Sequence, residues 1–349
     1  MQRFFIASLA LTPIAAVAAV FGVAPTALFF LSALAIVPLA KLIGDATAEV
    51  AARSGPALSG VLNATFGNAA ELLIGFFAIR AGLIEVVKAS LTGSIIGNLL
   101  LVLGTAAFAG GLRYKTQTFN RTAAHANAST LLLAVIAMAL PAILVHTSPP
   151  LHRDITLEEL SLAVAALMIL TYLAGLWFAL RTHAHFFASD GESKAPQRGI
   201  TRSVVILLGA TGAVAAMSEI LVRLIEPVAL AFGWTQLFIG VVVVAVIGNA
   251  AEHTSAIVMA TRDKMDVSLQ IAIGSATQIA IFVAPVLVFA SAGFPAPMNL
   301  VFNPFELAAI ILSVLIVNQI VADGETNWLE GLQLLVAYGI VATAFFLHE

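Results

Sequence analysis

Two glutamates, Glu71 and Glu252, stand in identical surroundings: Gly67-Asn68-Ala69-Ala70-Glu71 returns 181 residues later as Gly248-Asn249-Ala250-Ala251-Glu252. Gly93-Ser94 returns at the same offset as Gly274-Ser275, and two matches in one register point to an internal duplication. Each copy sets an acid inside an apolar run long enough to cross a membrane. An ionised acid at the bilayer centre costs several kcal/mol, so such residues usually face a polar interior. Asn68 and Glu71 are three residues apart, as are Asn249 and Glu252, which puts each amide on the same helical face as its acid. Gly67 and Gly248, one turn before the acids, can loosen the helix and free backbone carbonyls as ligands. Two carboxylates with carbonyls, hydroxyls and water make a hard-oxygen site, the kind that suits Ca²⁺ with its six to eight oxygen ligands and tolerant geometry.

One divalent cation neutralises two acids, and so do two protons, but a single site cannot hold both complements. Burial favours the protonated acid and a nearby cation favours the carboxylate. Competition of that kind, read out alternately on the two sides of a membrane, is antiport. The stretch after each motif supplies neutral partners: Ser90, Thr92, Ser94 and Asn98 in the first copy, Ser275, Thr277 and Gln278 in the second. Neither 89–111 nor 267–292 carries an acid, whereas a sodium-coupled calcium exchanger is expected to add one there.

The elements that must hold these residues follow from composition. With 60% apolar residues, 10% charged residues and a mean hydropathy of +1.03, the chain reads as an all-α integral membrane protein rather than a soluble domain. It has no cysteine, hence no disulfide framework, thiolate nucleophile or cysteine metal cluster, and no basic patch that would suit nucleic acid. At about 20 apolar residues per crossing, eleven spans are expected, near 4–22, 26–52, 57–79, 87–111, 123–146, 157–181, 201–222, 236–260, 267–292, 304–321 and 329–347. The long polar interruption at 182–200 separates two groups of five. The expected organisation is an N-terminal transmembrane helix (1–25), a first five-helix repeat (26–181), a cytoplasmic linker (182–200) and a second five-helix repeat (201–349). An odd number of crossings per repeat makes the two an inverted-topology pair. With the N-terminus in the cytoplasm, eleven of the sixteen basic residues fall inside, as positively charged cytoplasmic flanks require. Lys41 stands four residues before Asp45, a spacing that lets the two pair.

The motifs resemble the calcium/proton (cation/proton) antiporter family of the calcium/cation antiporter superfamily. The matching strings are Leu62-Asn63-Ala64-Thr65-Phe66 running into the first motif, Gly248 to His253, Ser218-Glu219-Ile220-Leu221-Val222, Gly274-Ser275-Ala276-Thr277-Gln278 and Asp323-Gly324-Glu325-Thr326-Asn327-Trp328-Leu329-Glu330-Gly331. The resemblance covers nearly the whole chain after the first span. It implies that Glu71 and Glu252 are paired metal ligands, with Asn68, Asn249 and the carbonyls near Gly67 and Gly248 beside them. It implies gating roles for Glu49 and Glu219, proton handling at His253, and a polar cavity at Ser94, Asn98, Ser275 and Gln278. The linker departs from the family's acidic connection, since Asp190 and Glu192 are offset by Lys194 and Arg198.

Bland roles stand beside these. Gly67, Gly93, Gly97, Gly248 and Gly274 suit close helix packing, His253 suits a packing histidine, and Glu306 suits either a cavity acid or a solvated helix end. An intramembrane protease lacks its motif, because there is no His-Glu-x-x-His and Leu42-Ile43-Gly44-Asp45 lacks the first glycine of Gly-x-Gly-Asp. A channel could use intramembrane acids too, but inverted repeats with midplane acids fit alternating access better. The expectation is a proton-driven Ca²⁺/H⁺ antiporter, not an enzyme, with no cofactor beyond the transported Ca²⁺ and H⁺. An antiporter for Mn²⁺, Na⁺ or Mg²⁺, or a sodium-coupled calcium exchanger, is the alternative. The expected partners are the calcium ion, protons and the lipid bilayer of a prokaryotic cell (inner) membrane. The sequence leaves assembly into a homo-oligomer open.

Overall fold

The computed structural model of the protein describes residues 5, 7–54, 56–147, 153–183 and 199–348. Most of the linker, 184–198 with Asp190, Glu192, Lys194 and Arg198, lies outside the described residues. In chain order the helices are α1 (Leu11–Val20), α2 (Pro25–Ala51), α3 (Pro56–Gly67), α4 (Ala69–Arg80), α5 (Ile84–Arg113), α6 (Arg121–Thr147), α7 (Arg153–Trp177), α8 (Ile200–Arg223), α9 (Ile225–Phe232), α10 (Gln236–Gly248), α11 (Ala250–Ala260), α12 (Met265–Ser291), α13 (Pro304–Ile320) and α14 (Trp328–Leu347).

Among the described residues, seven helices are long and apolar enough to cross a membrane. Two bent pairs reach that length only together: α3 with α4, bent by 53°, and α9 with α10, bent by 118°. The helices α1 and α13 are apolar but shorter. Among the described residues the expected spans lie largely on helical segments, of which only seven are long enough alone, and two of the spans are interrupted. The span at 57–79 breaks at Asn68 and the one at 236–260 breaks at Asn249.

Contacts divide the chain into two compact units that cut across the sequence repeats, one from Met1–Ser90 with Glu192–Ala251, the other from Leu91–Gly191 with Glu252–Leu347. In the first unit, α2 and α8 pack along each other, and α8 also covers α4. Phe29, Ile36 and Ile43 of α2 and Val214 and Leu221 of α8 are almost wholly buried there. In the second unit, α14 lies on the Leu103–Arg113 half of α5, and α12 packs on α6 and α7.

Small residues set the α5–α14 approach. A Cβ on Gly111 would collide with the backbone nitrogen of Trp328, and one on Gly331 with that of Phe108. Gly67, Gly97 and Gly274, by contrast, have no atom of the described residues within 4 Å of such a Cβ, so the described neighbours do not require glycine there for close packing. Backbone cannot yield as a side chain tip can. Gly331→Ala is accordingly expected to lower stability by about 1–3 kcal/mol, the usual cost of overpacking, read as a lower melting temperature of the detergent-solubilised protein.

The stretches after the two motifs also match in local structure. Helix α4 ends at Arg80 and α5 begins at Ile84; 181 residues on, α11 ends at Ala260 and α12 begins at Met265. The turns between them share one conformation, with a left-handed residue at Gly82 (φ 77°) and Asp263 (φ 59°). They also share hydrogen bonds, Leu83 N to Ala78 O at 2.9 Å and Lys264 N to Met259 O at 3.0 Å.

The all-α expectation needs one correction. Gln117–Thr118 (β1) and Glu325–Thr326 (β2) form a two-stranded antiparallel ladder, with Gln117 opposite Thr326. Two-residue strands carry no periodicity that a sequence reading could detect. The ladder also explains the 323–331 string. Asp323 Oδ1 accepts from Glu325 N at 3.0 Å, Gly324 supplies a positive φ of 86°, and Asn327 and Glu330 cap α14 reciprocally. Glu306 is of the same kind: it is buried and closes a capping box with Asn303 at the start of α13. It is neither a solvated helix end nor a cavity acid, but a cap that satisfies the first turn's amides.

Candidate functional site

Both acids of the repeated motif sit in the first turn of a helix that restarts after one irregular residue. Asn68 leaves helical geometry at φ −101°, ψ 22°, and Glu71 lies in the first turn of α4. Asn249 does so at φ −92°, ψ 3°, and Glu252 lies in the first turn of α11. The break thus falls at the asparagine, with Gly67 and Gly248 as the last helical residues before it. At the second copy Asn249 Nδ2 donates to Ala245 O at 2.9 Å, a carbonyl that also accepts from Asn249 N at 3.2 Å. An asparagine amide competes for the carbonyls that would continue the helix. A restarted helix also presents unpaired N–H groups and the positive end of its dipole, which favour a negative charge in the first turn.

The first acid reaches the second motif. A Cβ built on Gly248 would meet Glu71 Oε1 at 3.0 Å and Glu71 Cδ at 3.4 Å, so the carboxylate rests on bare backbone where any other residue would place a side chain. Glu71, Asn68 and Asn249 are all buried. This pairing of Glu71 with Gly248 lies wholly within the first unit.

Glu252 belongs to a hydrogen-bonded chain in the second unit. Asn98 Nδ2 donates to Ser275 Oγ at 3.2 Å, and the Ser275 hydroxyl hydrogen-bonds the Glu252 carboxylate. Because Ser275 already accepts from Asn98, its single proton is directed at the acid. Glu252 Oε2 and His253 Nε2 are shielded from solvent and have no hydrogen-bond partner among the described residues. Such groups are costly to leave unmet and mark a place where a ligand can bind. Ser275→Ala removes a hydrogen bond to a charged group, about 1.5–3 kcal/mol. It is expected to lower the melting temperature of the detergent-solubilised protein, which checks the bond.

Ser94 is buried one turn before Asn98 on α5, and Gln278 is half-buried on α12. Both helices change register beside these residues, through π-helical turns at Gly97–Val102 and Ile279–Val283. Such turns are frequent at functional sites, and no sequence signal announces them. Glu49 and Glu219 each carry an arginine partner one turn later, Arg53 at 3.6 Å and Arg223. The i, i+4 spacing made both pairs readable in advance. Lys41 and Asp45 pair as expected, at 3.2 Å. Among the described residues no group of three or more His, Cys, Asp or Glu side chains gathers, so a cation held here draws on neutral oxygens as well as acids.

Comparison with known proteins assigns the chain to a family. The model of the sodium/calcium exchanger protein family matches residues 24–181 and 202–347. A Ca²⁺/H⁺ antiporter of Synechocystis is 47% identical, over 99% of this chain and 98% of its own. The Ca²⁺/H⁺ antiporter ChaA of Bacillus subtilis is 44% identical, over 99% of both. The solved structure of native YfkE is 42% identical, covers 99% of each chain and superposes with a TM-score of 0.85. This is a multi-pass membrane protein, and it belongs to the calcium/proton antiporter family, within the broader sodium/calcium exchanger protein family.

Proposed function

We propose that the protein is a calcium/proton antiporter that moves Ca²⁺ one way and protons the other by alternating access, powered by the proton gradient. Glu71 and Glu252 are the shared ligands of both ions in this reading. The observation that carries it is the Glu71 carboxylate resting on Gly248, the acid of one motif against the glycine of the other. Glu252 follows Gly248 by four residues in the sequence. The names of the Synechocystis and Bacillus subtilis relatives support the choice of ions.

Asn68, Asn249 and the carbonyls near Gly67 and Gly248 complete the ligand set in this proposal, and Ser94, Asn98, Ser275 and Gln278 line a polar cavity. Glu49 and Glu219 serve the gating helices α2 and α8, and His253 handles protons beside Glu252. The proposed topology has eleven crossings in one plus two inverted sets of five, with the N-terminus and the linker in the cytoplasm of a prokaryotic cell. The transported ions and the bilayer are the only partners this mechanism requires.

Competition for two carboxylates sets a stoichiometry of at least two protons per Ca²⁺. It also gives a sign: acidifying the side from which Ca²⁺ binds weakens its apparent affinity there, because protons occupy the same oxygens. Flux ratios measured with a pH-sensitive dye and ⁴⁵Ca²⁺ test this, and a ratio of one proton per Ca²⁺ overturns simple competition. The function itself is tested by ⁴⁵Ca²⁺ uptake into proteoliposomes. Uptake driven by an imposed pH gradient and lost when the gradient collapses supports the proposal. Uptake that follows a Na⁺ gradient, or that continues with no gradient, refutes it in favour of sodium coupling or a channel.

A further inference from the structure

The connection between α8 and α10 differs in kind from the polar turns at 261–264 and 321–327. It reads Leu224-Ile225-Glu226-Pro227-Val228-Ala229-Leu230-Ala231-Phe232-Gly233-Trp234-Thr235, almost entirely apolar, and eight of its residues form α9. Pro227 explains why this is a separate helix. A proline ring clashes with the carbonyl four residues earlier, which is that of Arg223, the last residue of α8. Gly233, at φ 68°, then ends α9, and the Thr235 hydroxyl accepts from Phe238 N at 3.1 Å to start α10.

At 1.5 Å per residue α9 is about 12 Å long, far short of the roughly 30 Å hydrocarbon core. Its bend of 118° from α10 sets it 28° past perpendicular to that helix. One side is packed, with Ile225 and Val228 wholly buried, while Leu230 is 79% and Phe232 48% exposed. An aromatic cluster fixes the corner: Phe232 stacks on Trp234 with ring centres 4.7 Å apart, Trp234 meets Phe238 edge-on at 5.5 Å, and Phe30 of α2 meets Phe232 at 6.2 Å. Arg223 and Glu226, both exposed, flank the N-terminal end.

We propose that α9 is an interfacial helix that lies at the boundary of headgroups and acyl chains, with Leu230 and Phe232 in contact with lipid and Trp234 anchoring the corner. A segment joining two crossings lies on one membrane face. There, exposed apolar side chains beside a tryptophan and flanking charges are covered by the interface, where tryptophan concentrates and short amphipathic helices bury their apolar face about 5–10 Å deep. The elbow adjoins the last turn of α8, which carries Glu219 and Arg223, so lipid contact fixes that end of the helix. The inference rests on the chain's being a membrane protein and not on which ions it carries.

Trp234 is a built-in reporter. The other two tryptophans, Trp177 and Trp328, are 61% and 45% exposed and belong to no part of the site, so Trp177→Phe with Trp328→Phe leaves a single emitter. The protein is reconstituted into phosphatidylcholine vesicles containing lipids brominated either near the headgroup end or near the methyl end of the acyl chains. Quenching by the shallow bromines is expected to exceed that by the deep ones at least about twofold, as a burial depth of a few ångströms requires. Deeper quenching by the methyl-end bromines overturns the proposal. So does quenching by aqueous iodide alone, and so does protection from every quencher, which would mean that another protein copy covers the helix. None of these readings depends on transport, so loss of Ca²⁺/H⁺ exchange and loss of the interfacial placement are separate results.

Discussion

Glu71→Gln and Glu252→Gln each reduce pH-driven ⁴⁵Ca²⁺ uptake to the level of protein-free vesicles. Glutamine keeps the size and one oxygen of the side chain and removes only the charge, so packing is preserved. With a single carboxylate left, bound Ca²⁺ carries an uncompensated positive charge in a buried site, which costs several kcal/mol. A cost of about 3 kcal/mol alone weakens binding by more than roughly a hundredfold. Proton movement is lost with Ca²⁺ movement, because both ions use the same oxygens. Folding should survive, since a neutral amide is easier to hold in a membrane than an ionised acid, and an unchanged gel-filtration profile in detergent checks it. Near-normal transport by either variant refutes the paired-site reading. A variant that still carries protons while blocked for Ca²⁺ would separate the two ions and refute competition.

Gly248→Ala and Gly67→Ala form the second test, because the two glycines occupy matching places in the motifs and have opposite surroundings. At Gly248 a methyl would lie 3.0 Å from Glu71 Oε1, whereas at Gly67 it would meet nothing within 4 Å. Glu71 is a flexible side chain, so it gives way by a few tenths of an ångström and the fold is kept. Calcium–oxygen distances, however, fall in a window of only about 2.3–2.6 Å, and a displaced carboxylate no longer meets it. Gly248→Ala should raise the KM for Ca²⁺ about tenfold, or about 1.4 kcal/mol, with an unchanged melting temperature. Gly67→Ala should leave both unchanged, or stabilise slightly through alanine's better helix propensity. Equal effects at the two positions would show that the Glu71–Gly248 contact is not what tunes the site.

Much of this was legible in the residues. Apolar runs of sufficient length marked where the spanning helices lie, and the repeated pentapeptide marked the acids. The glycines at 67 and 248 hinted at loosened helix, but the breaks at Asn68 and Asn249 interrupt spans that the apolar runs alone made continuous. The arginine partners of Glu49 and Glu219 were there to be read at i+4 and were passed over in favour of the acids alone. Pro227 likewise announced an interruption between 222 and 236. The β1–β2 ladder was not legible because it pairs residues far apart in the chain, and the π-helical turns leave no mark in the apolar pattern. Glu306 and Glu330 carry a more general lesson: an acid beside an apolar run can be a helix cap, and the capping residue three positions before it, here Asn303 and Asn327, gives that away.

The matched turns at Gly82 and Asp263 are held by different means. The first half meets the left-handed conformation with glycine, at no steric cost. The second uses an aspartate, which pays for that conformation and is held in place from outside its own turn: Gln117 Nε2 donates to Asp263 Oδ1 at 3.0 Å and to Ala260 O at 2.9 Å. Asn120 N bonds Asp266 Oδ1 in the same region. The 117–120 segment thus braces the turn after the second motif, and among the described residues no such bond reaches the turn at Gly82. The two turns are therefore not equivalent: removing Gln117 would loosen the one at Asp263 and leave the one at Gly82 untouched.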